Sequence, residues 1–244
     1  MKYESYLRHL RIDSERLAAL AADFPDRRVP TCPGWNVLGV VRHLAEVYEH
    51  KILCMELGRD PVDGERSPVP ETVSEVLARY LDERDALFTL LSSRNPNDMS
   101  YTWFPPDQSV GFWYRRMAHE TVIHRVDVEL ACGRKTPLDP GLATDGIAEL
   151  LGFLTHSTDR PPRQGCPHRT VELRSGGQSW YVSLRERDVQ RPAGTPVIDA
   201  CLEGEPEDLL LALWGRHPLD SAPIRVTGDA STIAELQIRL REET

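Results

Sequence analysis

The sequence lacks the cysteine pattern of a zinc ribbon, a redox centre or a disulfide framework. Its five cysteines, at positions 32, 54, 132, 166 and 201, are odd in number and scattered, and no two of them form a CxxC pair. Thiols distributed in this way are typical of a reducing compartment. We therefore expect reduced cysteines and no cysteine-based zinc site.

Long apolar segments and an excess of basic residues are missing as well. The longest purely apolar run, 209–214, is far too short to span a bilayer, and the N-terminal segment has no apolar stretch typical of a signal peptide. The 244 residues include 38 acidic and 29 basic side chains, which give a formal net charge of −9. Nucleic acids and anionic membranes require a basic surface, so neither is expected as a partner. We expect a cytoplasmic monomer or homodimer.

Apolar residues at helical spacing predict five helices in the first two thirds of the chain. They cover roughly 4–23, 36–57, 71–93, 109–132 and 139–155. Gly58 and Gly133 stand where the second and fourth helices should end, because glycine favours the C-terminal cap. The short connections favour an antiparallel bundle.

The pattern changes at the proline-containing segment 157–168, which is typical of a linker. After it, Gly176-Gly177 predicts a hairpin turn. Further strands and helices are predicted at 196–202, 205–216, 224–227 and 231–241. The fold class is therefore mostly α, with an N-terminal helix bundle (1–157) followed by a small C-terminal α+β domain (168–244).

The fourth helix carries Glu120 and His124 one turn apart, so that both side chains share a face. That face continues the apolar row of Trp113 and Met117, and a buried carboxylate without a partner costs several kcal/mol. One interpretation is a hydrogen-bonded Glu–His pair without metal. The other is two ligands of a divalent-metal site.

His43 is the best third ligand on geometry. It borders the inward face of the second helix, and neighbouring helices in a bundle pack about 8–10 Å apart. His50 shares that face but lies about 10.5 Å further along the helix, so one metal cannot bind both histidines. Two histidines and one carboxylate leave coordination positions open, as in catalytic rather than structural sites.

Three segments carry a family resemblance. VPTCPGWNVLGVVRHL (29–44), the segment 102–133 with its HExxxHRxD motif, and 203–216 resemble the mycothiol-dependent maleylpyruvate isomerase family. That family belongs to the DinB-like superfamily of four-helix metal proteins. The resemblance implies a DinB-like bundle and a metal held by His43, Glu120 and His124. Zinc is the metal it implies, although nickel, cobalt or iron would suit the same ligands.

The resemblance also implies a chemistry. Mycothiol, a low-molecular-weight thiol, would bind the metal as a thiolate and add to the cis double bond of maleylpyruvate. Rotation and elimination would then give fumarylpyruvate. In transferase relatives, the thiol would instead remain on an electrophile. The protein itself needs no catalytic cysteine, and its partners would be a thiol and a small electrophilic or dianionic substrate.

Two further residues are candidates for the site. Arg84 falls on the apolar stripe of the third helix, where it would either hold a substrate carboxylate or form a structural ion pair. Asp127 follows His124 by three residues and would either orient that imidazole, pair with Arg125 or cap the helix.

The sequence is also compatible with two alternatives from other functional classes. One is a non-catalytic metal-binding or regulatory protein that retains the bundle, because a fold does not fix a function. The other is a metal-activated hydrolase with water at the open coordination position.

Overall fold

The computed structural model describes residues 1–68, 70–156, 163, 165, 168–194, 196–219 and 223–242. The chain divides into two compact units, 1–136 and 137–244.

The first unit is a four-helix bundle. Its helices are α1 (Tyr3–Asp23), α2 (Val37–Leu57), α3 (Val73–Ser93) and α4 (Val110–Cys132). α1 packs chiefly against α4, and α2 packs chiefly against α3. Apolar side chains from all four helices fill the core, among them Leu17, Leu44, Leu87 and Met117.

The helix ends follow from local capping groups. The Asn36 side chain accepts a hydrogen bond from the Gly39 amide at 2.8 Å at the start of α2, and the Ser109 hydroxyl caps α4. Gly58 and Gly133 end these helices in the left-handed region, with φ of 69° and 66°. The predicted bounds of α2 and α4 are confirmed. They can be predicted from the sequence because they depend on these short-range interactions.

A buried ionic network joins α1 to α4. Arg125, which is 1% exposed, donates from Nε to Asp13 Oδ1 at 3.2 Å and from Nη1 to Glu129 Oε2 at 2.6 Å. The Thr136 hydroxyl also donates to Glu129 Oε1 at 2.7 Å. Burial raises the pKa of Asp13 to about 6, even though the charge of Arg125 favours the ionised form. Arg125 is thus the cation that compensates two buried carboxyl groups.

The described part of the second unit combines three helices with a five-stranded sheet. The elements are α5 (Pro140–His156), β1 (Arg169–Ser175), β2 (Gln178–Leu184), β3 (Val189–Gln190), β4 (Ala200–Glu203), α6 (Pro206–Leu213), β5 (Arg225–Gly228) and α7 (Ala230–Arg241). The strand order is β3-β2-β1-β4-β5, with β1 antiparallel to β2 and parallel to β4. The β1–β2 turn contains Gly176 and Gly177, as predicted. β3 was not predicted, because two residues carry no periodic pattern.

The fold class is confirmed, but the division between the units differs from the predicted one. The sequence predicts the fifth helix in the bundle and a boundary at 157–168, whereas the units divide between Thr136 and Pro137. Within the second unit, α5 packs against α6. An apolar stripe shows that a helix is buried on one side but does not identify its packing partner. Most of the predicted linker lies outside the described residues.

Among the described residues, no helix has both the length and the apolar character needed to cross a membrane.

Candidate metal centre

Three predicted ligands meet between α2 and α4. Glu120 Oε1 lies 3.2 Å from His43 Nε2 and 3.3 Å from His124 Nε2. One ligand atom from each residue lies within 4.8 Å of the others, a separation that a single divalent ion can bridge. The two imidazole rings meet edge to face, with centroids 4.9 Å apart. The structure therefore brings His43, Glu120 and His124 to one point.

The turn before α2 helps to build this site. The Val29 amide donates to the Trp35 carbonyl at 3.1 Å, and the Trp35 amide donates to the Cys32 carbonyl at 3.0 Å, which closes the turn. Gly34 adopts φ of +89°, a conformation that residues other than glycine rarely adopt. From the closed turn, the Trp35 ring lies 5.0 Å from the His43 ring between centroids, and Thr31 and Cys32 contact Asp127.

Asp127 contacts the far side of the His124 ring. Its Oδ2 lies 3.0 Å from His124 Nδ1, and its Oδ1 accepts a hydrogen bond from the Thr31 hydroxyl at 2.6 Å. The Cys32 thiol donates to Oδ2 at 3.5 Å. Asp127 is fully buried, so these contacts fix its orientation. With Nδ1 held in this way, Nε2 is the ring nitrogen that faces Glu120 and His43.

Glu120 is held ionised by its neighbours. Arg116, which is 4% exposed, donates from Nη2 to Glu120 Oε2 at 2.9 Å and leaves Oε1 to face the histidines. Burial alone would raise the pKa of Glu120. The hydrogen bonds from His124 and His43, together with the Arg116 charge, outweigh burial and hold that pKa well below its usual range. A carboxylate kept ionised in this way is ready to coordinate a cation.

His124 is the more enclosed of the two histidines. Burial lowers its pKa, but the hydrogen bonds to Asp127 and Glu120 prevail and raise the pKa to about 9. Trp35 stacks on the His124 ring at an interplanar angle of 16°, with centroids 6.3 Å apart. The His43 side chain is 34% exposed against 11% for His124, so the site opens to solvent on the side of His43.

The residues present fit a divalent metal. Two imidazole nitrogens and one ionised carboxylate oxygen are a common ligand set for zinc and for other first-row divalent metals. The second carboxylate oxygen and the second nitrogen of His124 each have their own partner, as is usual around protein metal ligands.

Comparison with known proteins identifies the family. A family model described as "Mycothiol maleylpyruvate isomerase N-terminal domain" matches residues 7–129. The corresponding C-terminal domain model matches residues 141–235. The chain belongs to the mycothiol maleylpyruvate isomerase family. This membership confirms the predicted resemblance and the expectation that the chain is an enzyme.

Two solved structures share the fold of this chain. A crystal structure of a mutant of mycothiol-dependent maleylpyruvate isomerase aligns with a TM-score of 0.62 at 12% identity, covering 94% of this chain and 95% of the other. A second crystal structure of that enzyme aligns with a TM-score of 0.53 at 16% identity, with the same coverage. A search of curated proteins found no match.

Arg84 lies apart from the three ligands. Its guanidinium binds Asp85 Oδ1 at 2.7 Å, and it lines a groove of about 410 Å³ together with Leu10, Arg11 and Phe88. The residues that line this groove come from α1 and α3, whereas the ligands lie on α2 and α4. This arrangement corresponds to the structural ion pair left open above. A substrate-binding role for Arg84 stays a prediction that our proposal does not use.

Sequence reasoning did not assign Arg116, Thr31 and Trp35 to the site. The spacing of Arg116 four residues before Glu120 offered a signal, because residues four apart on a helix can pair. Thr31 lies 96 residues from Asp127, and no local pattern links the two. Their contact depends on the packing of the turn against α4.

If zinc occupies this centre, replacing Asp127 with alanine should weaken its binding by roughly 10–100-fold, because His124 would lose the partner that holds its ring. Asp127→Asn keeps an oxygen that can accept a hydrogen bond from His124 Nδ1, so its loss of zinc affinity should be much smaller. Competition with a chromophoric chelator measures both affinities. Equal zinc affinity in Asp127→Ala and the wild type, in proteins with the same circular dichroism spectrum, would rule out the orienting role.

Proposed function

We propose that this chain is a mycothiol-dependent isomerase that acts on maleylpyruvate or a similar cis-unsaturated diacid, with a divalent metal held by His43, Glu120 and His124. The observation that carries the proposal is the convergence of these three side chains within a bundle of the mycothiol maleylpyruvate isomerase family. Zinc fits the ligands, and nickel, cobalt or iron would fit them too.

A bound zinc ion would lower the pKa of a coordinating thiol, so that mycothiol reacts as a thiolate near neutral pH. The protein contributes the arrangement around that ion. Asp127 holds His124 in one ring orientation, and Arg116 keeps Glu120 ionised with Oε1 directed inward. These side chains are already in place, so little reorganisation precedes binding.

Cys32, which contacts Asp127, is not positioned as the nucleophile. The Cys32 thiol donates its hydrogen bond to Asp127, on the side of His124 that faces away from Glu120. This placement supports a nucleophile that comes from the cosubstrate. The thiol and the substrate would approach from the side of His43, where the site is open to solvent.

The proposal is tested with purified, zinc-loaded protein, mycothiol and maleylpyruvate. We expect isomerisation that requires both zinc and the thiol. Ultraviolet absorbance monitors the reaction, and NMR identifies the product. Accumulation of a thiol conjugate would indicate S-transfer instead. Turnover without thiol would indicate a hydrolase or another chemistry.

His43→Ala is the matched variant for this assay, because it removes a ligand from the exposed side of the site. It should reduce turnover to the rate that mycothiol supports in buffer. No thiol-dependent turnover in the wild type, combined with no thiol binding to the zinc-loaded protein, would favour a non-catalytic metal-binding protein.

A further inference from the structure

A second group of potential metal ligands lies near the C-terminal end of α2. His50 Nε2 lies 3.0 Å from Asp60 Oδ1, and Cys54 Sγ lies 3.6 Å from His50 Nδ1. Cys54 Sγ also lies 3.8 Å from Asp60 Oδ1. One atom from each residue falls within 4.8 Å of the others, as is also true of the candidate metal centre.

Local structure holds these three side chains together. His50 and Cys54 are four residues apart and therefore share a face of α2. Gly58, with φ of 69°, turns the chain so that Asp60 faces back toward that helix. The loop beyond it is fixed by Arg59, whose two terminal nitrogens donate to Glu65 at 2.8 and 2.6 Å.

A positive charge already lies beside the group. Lys51 Nζ is 2.9 Å from His50 Nδ1, and it lies 5.5 Å from the centre of the Trp113 ring. Thus the surroundings of His50 accommodate one cation, which in this structure is the lysine ammonium.

We propose that His50, Cys54 and Asp60 form a second site for a divalent metal, in which the bound ion replaces the Lys51 ammonium beside His50. Nitrogen, sulfur and oxygen ligands together suit zinc, cobalt or nickel. The site is separate from the first, because His50 lies seven residues, about 10.5 Å, along α2 from His43. The scattered cysteines of the sequence do not predict it, since Cys54 is joined here by a histidine and a carboxylate.

Binding requires the Cys54 thiol to lose its proton. One sulfur–metal bond forms, one sulfur–hydrogen bond breaks and the proton passes to solvent, with no change of oxidation state. Cys54 itself is buried, at 1% exposure, whereas the Asp60 side chain is 64% exposed. The ion would therefore reach the group from the side of Asp60.

Cobalt distinguishes this site from the first one. A thiolate bound to Co²⁺ gives a charge-transfer band in the near ultraviolet, and a site made of histidine and glutamate does not. The full-length protein is treated with a chelator and titrated with Co²⁺ in buffer that contains no thiol. We expect the band in the wild type and its loss in both Cys54→Ser and His50→Ala.

Two variants serve as controls. His124→Ala should keep the band, because it changes only the first site. Cys32→Ser should keep it as well, which excludes a thiolate from the turn near Asp127. No band in the wild type, its persistence in Cys54→Ser or its loss in Cys32→Ser would overturn the proposal.

Lys51→Met tests the exchange of one cation for another. Without the ammonium, Co²⁺ should bind roughly tenfold more tightly, because no like charge has to be displaced. Weaker binding in Lys51→Met than in the wild type would contradict the replacement of Lys51 by the ion.

Discussion

Replacing His124 with alanine should remove one equivalent of zinc from the purified protein and abolish thiol-dependent isomerisation. His124 is the most enclosed ligand of the candidate centre, and its Nε2 faces Glu120 Oε1 at 3.3 Å. Loss of a direct ligand should cost more than the roughly 10–100-fold that loss of an outer hydrogen-bond partner costs. Elemental analysis and the mycothiol-dependent assay measure the two effects.

His156→Ala is the control for this change, because His156 lies at the end of α5 in the second unit. It should leave the zinc content and the isomerisation rate unchanged. If His124→Ala retained the zinc content of the wild type, the set of three ligands would be wrong, whatever the effect on turnover.

Replacing Arg125 with methionine should lower the free energy of unfolding by about 3–5 kcal/mol. The guanidinium is buried and bonded to Asp13 and Glu129, and both carboxyl groups are buried too. Methionine fills part of the volume but leaves the two acids without their cation. Urea unfolding of the zinc-free protein, followed by circular dichroism, measures the loss without any contribution from the metal.

Arg134→Met provides the comparison, since Arg134 is exposed and its guanidinium lies 5.4 Å from the centre of the Phe24 ring. An exposed substitution of this kind should change the free energy of unfolding by about 0.5 kcal/mol or less. A loss in Arg125→Met as small as that in Arg134→Met would show that the buried network contributes little to stability.

The parts of the fold that depend on neighbouring residues were predictable. Asn36, Gly58, Ser109 and Gly133 act within one helical turn, so their positions define the ends of α2 and α4 without reference to the rest of the chain. The unit to which α5 belongs depends instead on tertiary packing. The apolar pattern of α5 would suit a bundle or the second unit equally well.

The candidate site likewise contains residues that were predictable from the sequence and residues that only tertiary packing brings together. Glu120 and His124 are one turn apart, and His43 was the best third ligand on helix geometry. The family resemblance implied the same three residues, so all of them were named from the sequence. Thr31 and Cys32 reach Asp127 across 96 and 95 residues, and only the packed structure brings them together. Asp127 was predicted with three possible roles, and its contact with His124 Nδ1 favours the orienting one.

The separation of the ligands along the chain has a further consequence for stability. His43 and Glu120 are 77 residues apart, and they lie on different helices of the bundle. An ion bound to both would act as a cross-link that closes this long loop and restricts the unfolded chain. In such a protein, loss of the ion would weaken the association of α2 with α4 and would favour unfolding, so the supply of metal would govern the lifetime of the folded chain as well as its chemistry.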